Sequence, residues 1–127
     1  MATTKQVSVV ALGGIAGSLF RWLMSLAIVE HGFPWATLLD NYIGSGLLMA
    51  LVVYSNHHPS PKWWWRPALG AGFCGGFTTY SAFAVKVDEY MRGQEYFAAG
   101  AYIAASVVGT YVVVVTVHKI MTTRVTK

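Results

Sequence analysis

Residues 72–86 read GFCGGFTTYSAFAVK. The stretch lies in a chain whose other apolar runs read as lipid-soluble helix. Yet it sets Gly75 beside Gly76 and Thr78 beside Thr79, and then spaces Phe77, Tyr80 and Phe83 three residues apart. A glycine weakens a helix by roughly 1 kcal/mol relative to alanine, and threonine hydroxyls compete for backbone groups. The combination predicts a membrane helix broken between Gly75 and Thr79. A break frees carbonyl oxygens, which at membrane depth must be satisfied by protein or by a bound ion. Carbonyls turned inward suit a hard cation. The aromatic face beyond the break either packs in a core or offers its positive ring edges to a small anion.

The rest of the chain sets this stretch in a membrane. Of 127 residues 55% are hydrophobic and 11% charged, against about 25% charged in soluble domains. Mean hydropathy is +0.50. The length allows one domain. Four apolar runs, about Val7 to Val29, Trp35 to Tyr54, Ala68 to Val85 and Tyr96 to Val117, each approach the roughly 20 residues a helix needs to cross the hydrocarbon core. The chain is therefore expected to be an all-α, four-helix transmembrane domain. Lys5 ahead of the first run resembles the start of a signal peptide, but the run continues past Arg21, as in a retained helix. Cys74 is the single cysteine and cannot form an intramolecular disulfide.

The net charge of +4 does not point to nucleic acid, because its Lys and Arg residues are scattered near the ends of the apolar runs. Four spans put both termini on one side. Lys5, Lys62, Arg66, Lys119, Arg124 and Lys127 are then opposed by Lys86 and Arg92, which favours cytoplasmic termini. Residues 55–67 read SNHHPSPKWWWRP. Pro59, Pro61 and Pro67 stop helix, and Trp63, Trp64 and Trp65 suit the headgroup layer of the bilayer. His57 and His58 have no acid or thiol partner nearby and are expected in a solvated loop.

Polar side chains within apolar spans are the most informative feature. Thr37, Asn41 and Ser45 share one face of the second helix, and Tyr102, Ser106 and Thr110 share one face of the fourth. Ser18, Arg21 and Ser25 line the first. Such hydroxyls either bond their own helix carbonyls or line a path. Asn41 carries two amide donors that need acceptors away from lipid. Arg21 either snorkels or serves a function, and Asp40 beside Asn41 is a second ionisable group near a helix end. Gly13 with Gly17, Gly72 with Gly76, and Ala105 with Gly109 give small-residue spacing for close helix approach, within one chain or between two. Four helices leave little room for a water-filled path inside one chain, so a conduit is expected between chains.

These residues resemble the Fluc/CrcB family of fluoride channels over nearly the whole chain. Gly13 to Trp22 (GGIAGSLFRW) is similar to the family's glycine-rich run ending in arginine. Thr37, Asn41 and Gly44 match its T-x-x-x-N-x-x-G pattern, and Gly75 to Phe83 (GGFTTYSAF) its third-helix signature. The resemblance implies an antiparallel, dual-topology homodimer, or a pair with a homologous second subunit, in the cell inner membrane. It implies passive fluoride export through the dimer and no enzyme activity. A structural Na⁺ would be held by the backbone carbonyls of Gly75 and Thr78 from both subunits. Asn41 would donate to fluoride, and Tyr80 and Phe83 would present ring edges. Ser81, Thr37, Tyr102, Ser106 and Thr110 would form a polar track, with Arg21 at the aqueous vestibule.

Tyr80, Ala82, Ala84 and Lys86 replace the family's phenylalanine, threonine, serine and acidic residue, and Asp40 replaces an apolar one. Two alternatives follow: a degenerate, non-conducting half of a heterodimer, or a proton-coupled small multidrug exporter. The exporter needs a membrane-embedded carboxylate in the first helix. Arg21 is the ionisable residue there, and Asp40 is the one substitute.

Overall fold

Thr3 starts the first helix through a reciprocal cap. Its hydroxyl accepts from the Gln6 amide at 3.4 Å and its own amide donates to Gln6 Oε1 at 2.9 Å, satisfying two donors that a helix start leaves free. The computed structural model describes residues 3–58 and 62–125. Five α-helices are present among them: α1 (Thr4–Ala27), α2 (Trp35–His57), the single turn α3 (Gly75–Phe77), α4 (Tyr80–Arg92) and α5 (Tyr96–Val125). A π-helical stretch, Pro67–Cys74, runs directly into α3. Pro59, Pro61 and Lys127 lie outside the described residues.

α1, α2 and α5 are each long and apolar enough to cross a membrane, and the chain is a multi-pass membrane protein. The third apolar run is divided among the π-helical stretch, α3 and the first turns of α4. On α1 only Gly17 is buried. Its Leu12, Ile15, Leu19 and Leu23 point outward, as suits a helix whose solvent is lipid. The helices pair two by two: α1 lies along the π-helical stretch and α3, and α2 lies along α5.

The first pairing rests on glycines. A Cβ at Gly13 would collide with the Ala68 carbonyl, one at Gly17 with the Phe73 carbonyl, and one at Gly76 with the Gly14 carbonyl. The two backbones touch where side chains would ordinarily stand, so dispersion contact replaces a hydrophobic driving force that lipid cannot supply. In the second pairing the Tyr42 hydroxyl fills the space above Gly109 and donates to the Ala105 carbonyl. All three small-residue pairs named above are thus used within the chain.

Gly32, at φ 87°, turns the chain between α1 and α2, and its carbonyl accepts from the Tyr90 hydroxyl at 2.6 Å. The principal core sits at this end, where Leu38, Tyr90, Ala99 and Tyr102 are buried together. Past the apolar run α4 becomes polar, with Lys86 paired to Glu89 at 3.0 Å and Arg92 to Asp88 at 2.7 Å. The hydrogen bond to Glu89 holds the Lys86 ammonium above its usual range. At the other end His57 and His58 do not lie free in a loop. His57 is the last residue of α2, and their Nδ1 atoms lie 2.9 and 3.2 Å from the carbonyls of Val53 and Tyr54.

Candidate ion pathway

Between α3 and α4 two residues leave the helix: Thr78 at φ −79°, ψ 156° and Thr79 at φ −148°, ψ 122°. Gly75, in contrast, is helical. The extended residues are held from outside. Asn41 on α2 accepts from the Thr79 amide at 2.7 Å and donates to the Thr79 carbonyl at 3.0 Å, so one side chain does for Thr79 what a neighbouring strand would do. In a continuous helix the Thr79 amide would bond the Gly75 carbonyl four residues back. Here that donor goes to Asn41. Thr79 then caps α4, its hydroxyl accepting from the Ala82 amide at 3.2 Å, while the Thr78 hydroxyl turns back to the Cys74 carbonyl at 2.9 Å.

Two clefts meet at Thr79. The larger, about 960 Å³, is lined by Asn41, Gly75, Thr78, Tyr80 and Phe83, with Ser106 and Thr110 opposite on α5. Among the described residues no charged side chain lines it, so an ion entering it meets dipoles, ring edges and methyl groups. Asn41 Nδ2 carries two hydrogens, of which the Thr79 carbonyl takes one. Tyr80 is 80% exposed, and its ring centroid lies 5.7 Å from that of Phe83. The Phe83 ring is in turn 5.3 Å from that of Tyr102.

The smaller cleft, about 670 Å³, is polar and charged. It gathers Ser18, Arg21 and Ser25 from α1, Glu30 from the following loop, and Thr37 and Asp40 from α2. Arg21 Nε is buried without a hydrogen-bond partner. Glu30 accepts from the Ala36 amide at 3.2 Å, satisfying a free donor at the start of α2.

The structure therefore collects Asn41, Tyr80, Phe83, Ser106, Thr110, Gly75 and Thr78 around one cleft, and Arg21 and Thr37 around the other. Ser81 lines neither, but its hydroxyl is 3.2 Å from that of Thr79. Tyr102 is fully buried in the core, one helical turn from Ser106 yet turned away from the cleft. Ser25 takes the local option and donates to the Trp22 carbonyl at 2.6 Å. Ser18 instead reaches across to the Gly76 carbonyl at 3.4 Å. Thr79, shared by both clefts, was not singled out from the sequence as a site residue. The threonine pair was its only local signal.

Comparison with known proteins adds a second line. A family model described as "CrcB-like protein, Camphor Resistance (CrcB)" matches residues 8–117. The fluoride-specific ion channel FluC of Leptospira interrogans serogroup Icterohaemorrhagiae serovar copenhageni is 35% identical over 112 residues, covering 86% of this chain and 88% of the relative. FluC of Bordetella avium is 42% identical over 103 residues, 80% of each chain. FluC of Thermococcus gammatolerans is 40% identical over 107 residues, 81% of this chain and 85% of the relative.

Proposed function

The chain belongs to the CrcB family, a family of ion channels and not of enzymes, and from that premise we propose that it is a fluoride-selective channel subunit. The observation that carries this reading is the larger cleft. An amide donor of Asn41, the rings of Tyr80 and Phe83, and the hydroxyls of Ser106 and Thr110 line it with no cation among them. Fluoride is small and strongly hydrated, so a path must replace its water shell with fixed donors while binding it weakly enough to let it leave. Neutral donors and positive ring edges meet both demands. A lysine or arginine in the same place would hold the anion. The flow is passive, down the fluoride gradient and out of the cell.

The cleft is not enclosed by this one chain, so we read the conducting unit as two chains, oppositely oriented in the inner membrane, each closing the other's groove. A homologous second subunit would serve equally. The residues at the helix interruption fit a bound sodium ion: Gly75 is exposed with open space beside it, and its carbonyl has lost its helical donor to Asn41. The carbonyls of Gly75 and Thr78 from two chains would supply neutral oxygens of the kind a small hard cation takes. Such an ion would tie the two interrupted helices together.

Purified protein in liposomes should release fluoride down its gradient and retain chloride. Equal fluxes of the two halides would defeat the selective-channel reading, and absence of fluoride flux would defeat conduction by this chain alone.

A further inference from the structure

Asp40 is the one acidic side chain within the apolar part of α2, and the anion path just described does not use it. It is 2% exposed, and its Oδ1 has no hydrogen-bond partner. It lines the smaller cleft, where the charged groups facing it are Arg21 from α1 and Glu30 from the α1–α2 loop. Neither neutralises it by contact. No ion pair joins Arg21 to Asp40 among the described residues, and the Arg21 charge acts on the carboxyl only from a distance, while Glu30 is an acid engaged with the Ala36 amide. From the third segment the cleft receives Thr79 and Ala82, and α5 contributes nothing to it.

An ionised carboxylate buried without a partner is much less favourable than the same carboxyl carrying a proton. The protonated acid also gains an O–H donor. Thr79, which lines this cleft, lines the Asn41 cleft as well, so the cleft that holds Asp40 adjoins the one that holds Asn41. We propose that Asp40 is a proton-binding site at the entrance to the anion path. With its proton, it donates to the entering fluoride; without it, its charge turns the anion away. This rests on the fluoride-channel reading and adds to it a control by pH.

Fluoride efflux from liposomes over a pH series, corrected with protein-free vesicles for leak of the neutral acid, tests the proposal. Wild-type flux should fall about tenfold for each pH unit above the titration midpoint, following the protonated fraction. Asp40→Asn, a permanent neutral donor, should remove the slope, and Asp40→Glu should keep it. A pH-independent wild type, or a slope that survives in Asp40→Asn, overturns the proposal while leaving the channel intact. Infrared spectroscopy of the protein without fluoride gives a second reading. A protonated-carboxyl C=O band that titrates in the wild type and vanishes in Asp40→Asn supports the proton site even if no variant conducts, in which case the channel reading is what fails. Absence of that band at every pH overturns the proton site.

Discussion

Asn41→Ala removes both hydrogen bonds that hold Thr79 extended, at 2.7 and 3.0 Å. The Thr79 amide and carbonyl are then left without protein partners at a half-buried position. Each such group costs about 1–3 kcal/mol, so the pair costs about 2–6 kcal/mol, a large share of the 5–15 kcal/mol that typically separates folded from unfolded states. Ser45→Ala, one turn along the same cleft wall, removes a hydroxyl for which no hydrogen bond is found and should change stability by no more than about 0.5 kcal/mol. Reversible unfolding in mixed micelles measures both variants. Hydrogen exchange at the Thr79 amide localises the effect, with protection lost in Asn41→Ala and kept in Ser45→Ala. If Asn41→Ala unfolds within about 1 kcal/mol of the wild type and the Thr79 amide stays protected, the side chain is not what holds the helix open.

Four further outcomes are expected. Gly17→Ala, which would drive a methyl into the Phe73 carbonyl, should separate α1 from the third segment and destabilise the chain by several kcal/mol, at least the ~1–3 kcal/mol typical of overpacking. Gly75→Ala meets open space and should leave the stability of the single chain unchanged or improved, so a loss of assembly in that variant, read by light scattering, reports a second chain at this face. Tyr80→Phe should keep selectivity and raise fluoride flux by removing a hydroxyl that deepens a binding well, whereas Phe83→Ile should lower it by removing a ring edge; the reverse order would detach these rings from the path. Prolonged dialysis into sodium-free buffer should slow fluoride flux and lower the unfolding temperature together, and an unchanged flux would remove the ion from the mechanism.

Much of this architecture is visible in composition, because lipid demands apolar runs of a set length wherever they occur. What is less visible is caused from a distance. Gly75 and Gly76 read as weak points of a helix, yet Gly75 and Gly76 are helical and Gly76 serves close approach to Gly14. Thr78 and Thr79 are the extended residues, because Asn41, far away in sequence, supplies the partner. The π-helical turn at Pro67–Cys74 has no periodic signature and fits the crowding of α1 against this stretch. Helical spacing put Tyr102 on the stripe of Ser106 and Thr110, but α5 changes neighbours along its length. Tyr102 meets Leu38 and Tyr90, while the other two meet the cleft. α5 also runs on to Val125, past the end of its apolar run, since a helix leaving the bilayer needs no apolar face to continue.

The interruption at Thr78 and Thr79 bears on how the third segment is held in the membrane. The π-helical stretch and α3 together rise only about 16 Å, half the hydrocarbon core, and α4 soon turns charged. Neither half can partition as a span by itself. The two pieces can therefore hold their place in the bilayer only as a pair, with α2 beside them. Asn41 supplies at Thr79 the backbone partners that a continuous span would find within itself.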